Sequence, residues 1–478
     1  MTVTHKKIIM IKKRGIEMKF KKIISTCLVV ATALTVFSGC GQQKDDGKVH
    51  ISVGNWPNAE NQVLHERYSN NREAFLAQYP DVDLKPDTYA FNTKDFVAKA
   101  VAKQLPTVFE APFTETKNIP NAGYCEDVSS YLENYGFMDY LNPEVLDIVS
   151  GENGEIWGVP YNVYAQGLYI NKAIFKEAGL VNEDGTVKAP QTYEEMAEFA
   201  KIIKEKTGKA GYVMPTIDNC GGWHFINVAW SYGTKFMEQD KDGKWKAIFN
   251  SPEFKAAVEW LYDMKWKYDA LPAQSAVSND DRSMMFGTGQ AAMMFSTPPA
   301  NELSTKFDMN IEDIACVRMP AGPAKRAAQL GGSILFFSKG TTQEQFNACM
   351  DWNVFKGAYI TEITEESLAK SEASFQDALK AKQIIIPGTV LPIMVNRENE
   401  DKLLALRDKY SNVDMKDYED YLSFKDVELT PEEPACCQQL YSILDGIVQK
   451  VITDKDVDID AVIEEAVKDF QTNHLDNM

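Results

Sequence analysis

Short apolar runs that read as strands alternate with helix-period patterns along most of this chain, and that alternation limits the fold more than any other feature. Val49–Val53 alternates like a strand and stops at Gly54-Asn55-Trp56-Pro57. A helical pattern follows, with Leu64, Tyr68, Phe75 and Tyr79 on one face until Pro80 ends it. Val82–Leu84 is a second strand. Thr93 opens a helix with Phe96, Val97, Ala100 and Val101 inward, and Thr107–Phe109 is a third strand. Further on, Leu168–Ile170 reads as a strand with Asn171 capping the next helix. Thr192 to Glu195 reads as a capping box with Met196, Phe199, Ala200 and Ile203 behind it. Gly331-Gly332 precedes the strand Ile334–Phe337, a helix containing Trp352 follows, and two apolar helical stripes close the chain. Alternation of this kind predicts an α/β fold with mostly parallel sheets. At 478 residues the length suits two to four domains or one two-lobed body.

The charge is unevenly placed. The chain carries 50 Lys/Arg against 69 Asp/Glu, yet residues 1–39 hold eight basic residues and a single Glu. The rest is strongly acidic, which argues against nucleic acid as a partner, since that affinity comes from Lys/Arg on phosphate. The basic start has a form of its own. Lys19, Lys21 and Lys22 precede a mostly apolar or small run, Ile23 to Phe37, and then Ser38-Gly39-Cys40. The run is too short to span roughly 30 Å of hydrocarbon, which takes about 20 helical residues, and reads as an export signal. Met18 stands directly before it as an alternative start. Cys40 after the small pair, with Phe37 where Leu is usual, resembles a bacterial lipoprotein signal. Residues 1–39 are then the signal, and 40–48 the lipidated Cys40 and a polar tether. Six cysteines remain: Cys125, Cys220, Cys316, Cys349, Cys436 and Cys437. They have no zinc spacing and predict no metal site; their pairing stays open.

Catalytic signatures fail in turn. There is no G-x-S-x-G, no H-E-x-x-H and no phosphate-binding G-x-x-x-x-G-K-[ST]. Gly287-Thr-Gly289 lacks the third glycine of a dinucleotide loop, and no cofactor is expected. Histidine is scarce. The carboxylates are too many to support or exclude the pair that glycoside hydrolysis needs. The aromatics say more. Trp260 and Trp352 fall inside helical patterns and read as core, whereas Trp56, Trp157 and Trp223 sit beside Gly or Pro in what read as loops. Rings at the strand-end loops of an α/β sheet are placed to stack on a ligand such as a sugar. Trp56 and Trp223 are therefore expected to serve binding rather than folding.

The run Gly154-Glu-Ile-Trp157-Gly-Val-Pro160-Tyr161, then Gly167 to Leu180, then Pro190-Gln-Thr-Tyr-Glu-Glu-Met, resembles the maltose-binding-protein-like family of extracellular solute-binding proteins that serve ATP-driven importers. Looser matches follow in the same order at Met285–Met293 and Gly331–Thr341, and in the closing helices. The resemblance implies a two-lobed, type II periplasmic-binding-protein-like fold with a ligand cleft between the lobes and no catalytic residues. It implies a first lobe of 49–163 plus 334–386 and a second of 164–333 plus 387–478, with chain crossings near 163–164, 329–333 and 386–392.

It also implies ligand contacts at Asn55, Trp56, Glu110, Tyr161, Tyr164, Trp223, Ser296, Thr297, Gly332 and Ser333. The segment after Met293 reads Phe295-Ser296-Thr297-Pro298-Pro299 and lacks the stacking Trp common there in the family. The implied protein is a monomeric receptor, anchored by lipid outside the cell membrane of a Gram-positive-type cell. It would hand a sugar or oligosaccharide to membrane permease subunits. A polyol, a sugar phosphate or a quaternary ammonium compound are other ligand classes. A surface glycoside hydrolase and a non-transport sensor on the same fold are the other readings the sequence leaves open.

Overall fold

Val49 pairs with Val82 and Val53 with Pro86 in a parallel ladder, so the first two predicted strands are neighbours. The computed structural model describes residues 46–151 and 153–478; the export signal and Cys40 lie outside the described residues. In chain order the strands are β1 (Val49–Val53), β2 (Val82–Pro86), β3 (Val108–Pro112), β4 (Val159–Ala165), β5 (Gly167–Asn171), β6 (Met237–Gln239), β7 (Trp245–Ala247), β8 (Met293–Ser296), β9 (Ile314–Val317), β10 (Ala327–Phe337) and β11 (Glu428–Pro431).

One sheet runs β11-β10-β3-β1-β2, with β4 on β10. A second runs β8-β5-β9, and β6 and β7 form a hairpin. The sheets are mixed, which corrects the mostly parallel expectation. β10 is antiparallel to both β3 and β4, and β5 is antiparallel to both its neighbours. A strand that carries the chain back from one lobe to the other has to run against the strand that carried it out.

That return is visible in the cores. Ile334–Phe337 of β10 pack with Ile51, Leu84, Phe109 and Trp352 in one apolar cluster. Ala327 and Ala328, at the other end of the same strand, pack with Leu168, Ile226, Leu440 and Val448 in another. β10 is thus a single extended strand with an end in each lobe, and β4 runs beside it in the opposite sense. A satellite cluster around Tyr169, Met294 and Cys316 belongs to the second lobe. Ile384 and Ile386 pack into that satellite, while Met394 packs into the first core.

Local signals explain most helix starts. Asn171 accepts the Ile174 N–H, and Thr192 accepts that of Glu195. The Glu195 carboxylate reaches the Gln191 N–H, at 2.6 Å, one residue before the position the capping box predicts. The helix expected from Thr93 forms only over Phe96–Val101. Val97 and Val101, expected inward, are exposed, because so short a helix has one buried point, Phe96. The six cysteines are free thiols. Among the described residues no helix is long and apolar enough to cross a membrane.

Candidate functional site

The floor of the site is the crossing itself. Gly331 lies opposite Tyr164 and Gly332 opposite Val163. A Cβ on Gly332 would stand 2.1 Å from the Asn162 carbonyl oxygen and 2.7 Å from the Phe113 ring. A Cβ on Gly331 would meet the Tyr164 ring at 2.3 Å. Only glycine lets these strands close while Tyr164 lies across them. Above this floor opens a cleft of about 550 Å³. Its walls come from the turn after β1, the segment after β2, the end of β3 and the start of the helix Cys437–Thr453. A groove of about 650 Å³ between the last two long helices touches none of these strand ends.

Of the ten predicted contacts, Asn55, Glu110, Tyr164, Gly332 and Ser333 line the cleft together. The lining is mainly amide, hydroxyl and ring, and its only charged members are Lys94 and Glu110. Asn55 turns its side-chain oxygen to the Glu110 N–H, at 3.3 Å, which leaves its amide N–H groups for other partners. The Ser333 hydroxyl is buried with no partner inside the protein, an arrangement that favours a ligand able to supply one.

The other predicted residues lie elsewhere. Trp56, expected at an open loop, is only 4 % exposed; its ring stacks on Trp352 at 5.7 Å and has become core. Ser296 is buried at the end of β8, opposite Gly167, and Thr297 follows it outside the cleft lining. Tyr161 lies on the other face of β4 from Tyr164. Asn162, Asn92, Thr93, Lys94 and Gln438 line the cleft and were not anticipated. A signal for one existed: strand alternation puts residues 162 and 164 on the same face and 161 on the opposite one.

Behind Tyr161 sits a half-buried cation. Lys356 donates to the Tyr161 hydroxyl, at 3.2 Å, and its ammonium lies 5.1 Å and 5.5 Å from the Tyr161 and Tyr68 ring centres. Burial pushes its pKa down to about 8, against the pull of Glu110. Between there and the ordinary lysine value the unfolded chain binds the extra proton, so stability is gained as pH rises through that window and lost as it falls. Lys356→Met should therefore raise the melting temperature at pH 7, by about 1–3 kcal/mol of stability, and change little at pH 10. A lower melting temperature at pH 7 would mean that the charge stabilises the fold.

The helix Cys220–Tyr232 of the second lobe comes beside Tyr164. Trp223 stands in its first turn, half-buried, with its ring 6.4 Å from that of Tyr164 and edge-on to it. Gly221-Gly222, read as a loop, is helical. A Cβ on Gly222 would meet the Tyr441 backbone oxygen at 2.3 Å, so the glycines serve helix contact. The helix start is capped from a distance: Asp445 accepts the N–H groups of Asn219, at 2.7 Å, and Gly222, at 2.6 Å. This helix end, a natural anion site, is already occupied by the protein's own carboxylate. One turn on, the His224 ring is held between the Cys220 carbonyl (2.8 Å) and the Arg282 guanidinium (2.7 Å). Among the described residues no three His, Cys, Asp or Glu side chains gather as a metal centre requires.

Comparison with known proteins places this geometry. Residues 58–348 match the model of a family described as bacterial extracellular solute-binding protein. A putative binding protein of Brucella abortus (strain 2308) is 24 % identical over 216 residues, 45 % of this chain and 48 % of its own length. The chain thus spans about half the length of the first curated relatives it matches. The sn-glycerol-3-phosphate-binding periplasmic protein UgpB of Escherichia coli (strain K12) is 24 % identical over 310 residues, 61 % of this chain and 67 % of that protein.

Among solved structures, maltose-bound MalE3 of T. maritima covers 88 % of this chain and 99 % of its own at 22 % identity, with a TM-score of 0.61. UgpB of Mycobacterium tuberculosis in complex with glycerophosphocholine covers 89 % and 98 % at 17 % identity and 0.63. The shared fold is the two-lobed type II periplasmic-binding-protein fold.

Proposed function

We propose that this chain, which belongs to the bacterial extracellular solute-binding proteins, is a receptor that closes its lobes on a neutral sugar or oligosaccharide and delivers it to an importer's permease. The observation that carries the reading is the cleft above the crossing strands. It offers amides, the Tyr164 ring and the unpartnered Ser333 hydroxyl, a set that suits sugar hydroxyls and C–H faces. No arginine lines it, so a phosphate-bearing solute is the second reading, favoured by the start of the helix Cys437–Thr453, which reaches the cleft at Gln438, and by the similar proteins named for binding glycerol phosphate or solved with glycerophosphocholine.

Contacts are assigned to Asn55, Glu110, Tyr164, Gly332 and Ser333, with Trp223 as the second lobe's ring. The first two crossings are kept near 163–164 and 329–333, whereas the expected limit at 386–387 is set aside, since Ile384 and Ile386 pack with the second lobe and Met394 with the first; Cys40 carries the lipid that anchors the receptor outside the membrane. Ligand contacts shared by both lobes favour the closed form, and only that difference in affinity drives closure.

The test is the melting temperature of residues 41–478 across maltose, longer oligosaccharides, polyols, glycerol 3-phosphate and glycine betaine. A solute at ~100 times its Kd adds about 2.7 kcal/mol to the folded state. The expected result is an upward shift with a sugar recovered intact, abolished in Tyr164→Ala without a matching drop in unliganded stability. A shift with glycerol 3-phosphate alone would overturn the neutral-sugar assignment, and a cleaved sugar would indicate an enzyme.

A further inference from the structure

Beside the cleft lies a second, smaller chamber of about 180 Å³. Phe91, Thr93 and Gln438 line both spaces, so the two adjoin along one edge. The first lobe supplies most of the wall, from the short helix Phe96–Val101 and the segment 115–124. The start of the helix Cys437–Thr453 closes the second-lobe side. The wall is largely apolar. The Phe91 and Phe96 rings lie tilted to each other at 5.3 Å, and Tyr124 meets Phe96 edge-on at 5.8 Å. Val97, exposed on its short helix, belongs to this wall with Ile119 and Ala122. One charged group interrupts it. Glu115 is buried, and its carboxylate accepts from the Thr114 hydroxyl and the Asn118 side-chain amide, each at 3.2 Å. Both donors are neutral, and among the described residues no lysine or arginine pairs with this carboxylate. A carboxylate has about four acceptor positions, so about half of them are left, and a buried acceptor without a donor is costly.

We infer that this chamber is a subsite for a hydroxylated aromatic ring, and that the solute is a phenolic glycoside whose sugar occupies the cleft. The inference rests on the sugar-receptor reading and names the group attached to the sugar. Size and wall agree. A dry apolar cavity of about 150 Å³ holds one benzene ring, and three aromatic side chains offer faces and edges to a fourth. Glu115 supplies the acceptor for the ring's hydroxyl, a charge-assisted bond stronger than one between neutral groups. A second sugar ring suits the wall less well. Its hydroxyls point outward all round, and those turned to Val97, Ile119 and Ala122 would be buried without partners. An ammonium group needs ring faces around it. Here the Phe96 ring is met tilted and edge-on by its neighbours, and aliphatic side chains make up the rest of the apolar wall. Because both lobes wall the chamber, a ring seated there adds to the contacts that favour closure.

Hydroquinone alone tests the chamber without a sugar, so this inference and the sugar reading can fail separately. Saturation-transfer NMR should show hydroquinone bound to the wild type. The transfer should fall about fivefold or more in Val97→Trp, whose indole fills the chamber from an exposed position, and in Glu115→Gln. Calorimetry with the methyl, phenyl and hydroquinone glycosides of glucose and of maltose gives the second readout. The phenyl glycoside should bind about tenfold tighter than the methyl one, as burying one ring allows. The hydroquinone glycoside should bind tighter again, by about threefold or more. Val97→Trp should erase the whole preference and Glu115→Gln the hydroxyl's part, and both should keep the methyl glycoside's Kd. Absence of transfer to hydroquinone, equal Kd for methyl and hydroquinone glycosides, or a preference that persists in Val97→Trp would overturn the inference. Tetramethylammonium bound in place of hydroquinone would overturn it too, and would make the chamber a cation site. Hydroquinone held in the chamber while no glycoside binds would keep the subsite and sink the sugar reading.

Discussion

Trp56→Ala will melt far below the wild type, having lost about 3–5 kcal/mol of stability, the usual cost of removing a buried large aromatic. The indole is stacked on Trp352 at an interplanar angle of 17°, and the Tyr68 ring meets it edge-on at 5.3 Å. Phe75 closes the far side of Trp352 at 5.5 Å. These rings join β1's following turn to the helices Gln62–Gln78 and Gln343–Phe355, so the lost volume lies where three elements meet and cannot collapse without moving one of them. Trp56→Phe should recover part of the loss by restoring a stacked ring. Trp223→Ala, at a half-buried position, should cost less stability and more affinity. A Trp56→Ala protein that melts with the wild type but no longer responds to sugar would return this indole to the cleft.

What could be read from the sequence divides along a physical line. Period-2 and period-3.6 patterns are local, and they located β1, β2, β5 and the helices capped by Asn171 and Thr192. Loop or core status of an aromatic beside Gly or Pro is not local. Trp56 follows a strand end as a cleft residue would, yet Trp352, nearly three hundred positions away, takes its face. Gly221-Gly222 carries the local signature of a turn. It is helical because Asp445 caps the helix from a distant segment and because the Cys437 helix approaches too closely for a side chain at Gly222. The mixed sheets have the same cause, since strand direction is set by where the chain has to return.

At the cleft, Asn55, Glu110 and Ser333 were placed by the family resemblance. Asn162 was within reach of strand alternation alone. Gln438 was not, because the Cys437 helix reaches the cleft only through the packing of its apolar stripe, Cys437 to Val451, against the second lobe's core.

Arg282→Met will cost about 3–5 kcal/mol, as breaking a buried charged network does, and will change the chemistry of one histidine in a way that simple loss of packing does not. Arg282 is 4 % exposed. It donates to the Phe295 carbonyl at 2.7 Å, to His224 Nε2 at 2.7 Å and to Ser283 Oγ at 3.2 Å, with Glu302 as its nearby countercharge. A guanidinium only donates, so Nε2 must be unprotonated. The proton is then on Nδ1, donated to the Cys220 carbonyl at 2.8 Å. Burial first, then the Arg282 charge, holds the His224 pKa well below the ordinary value. Below about pH 6.5 the unfolded chain takes up a proton that the folded chain refuses, so His224 makes stability fall as the solution is acidified.

Methionine in place of Arg282 leaves the Phe295 carbonyl and Nε2 unpaired, and it removes the charge that repels a second proton. Nitrogen-15 spectra of the wild type should show His224 as the neutral Nδ1–H form down to mildly acidic pH. The variant's His224 pKa should rise, and its stability deficit should narrow as pH falls. A wild-type His224 that protonates near 6.5 would show that Arg282 does not hold it, and the first turn bearing Trp223 would then owe its position to Asp445 alone.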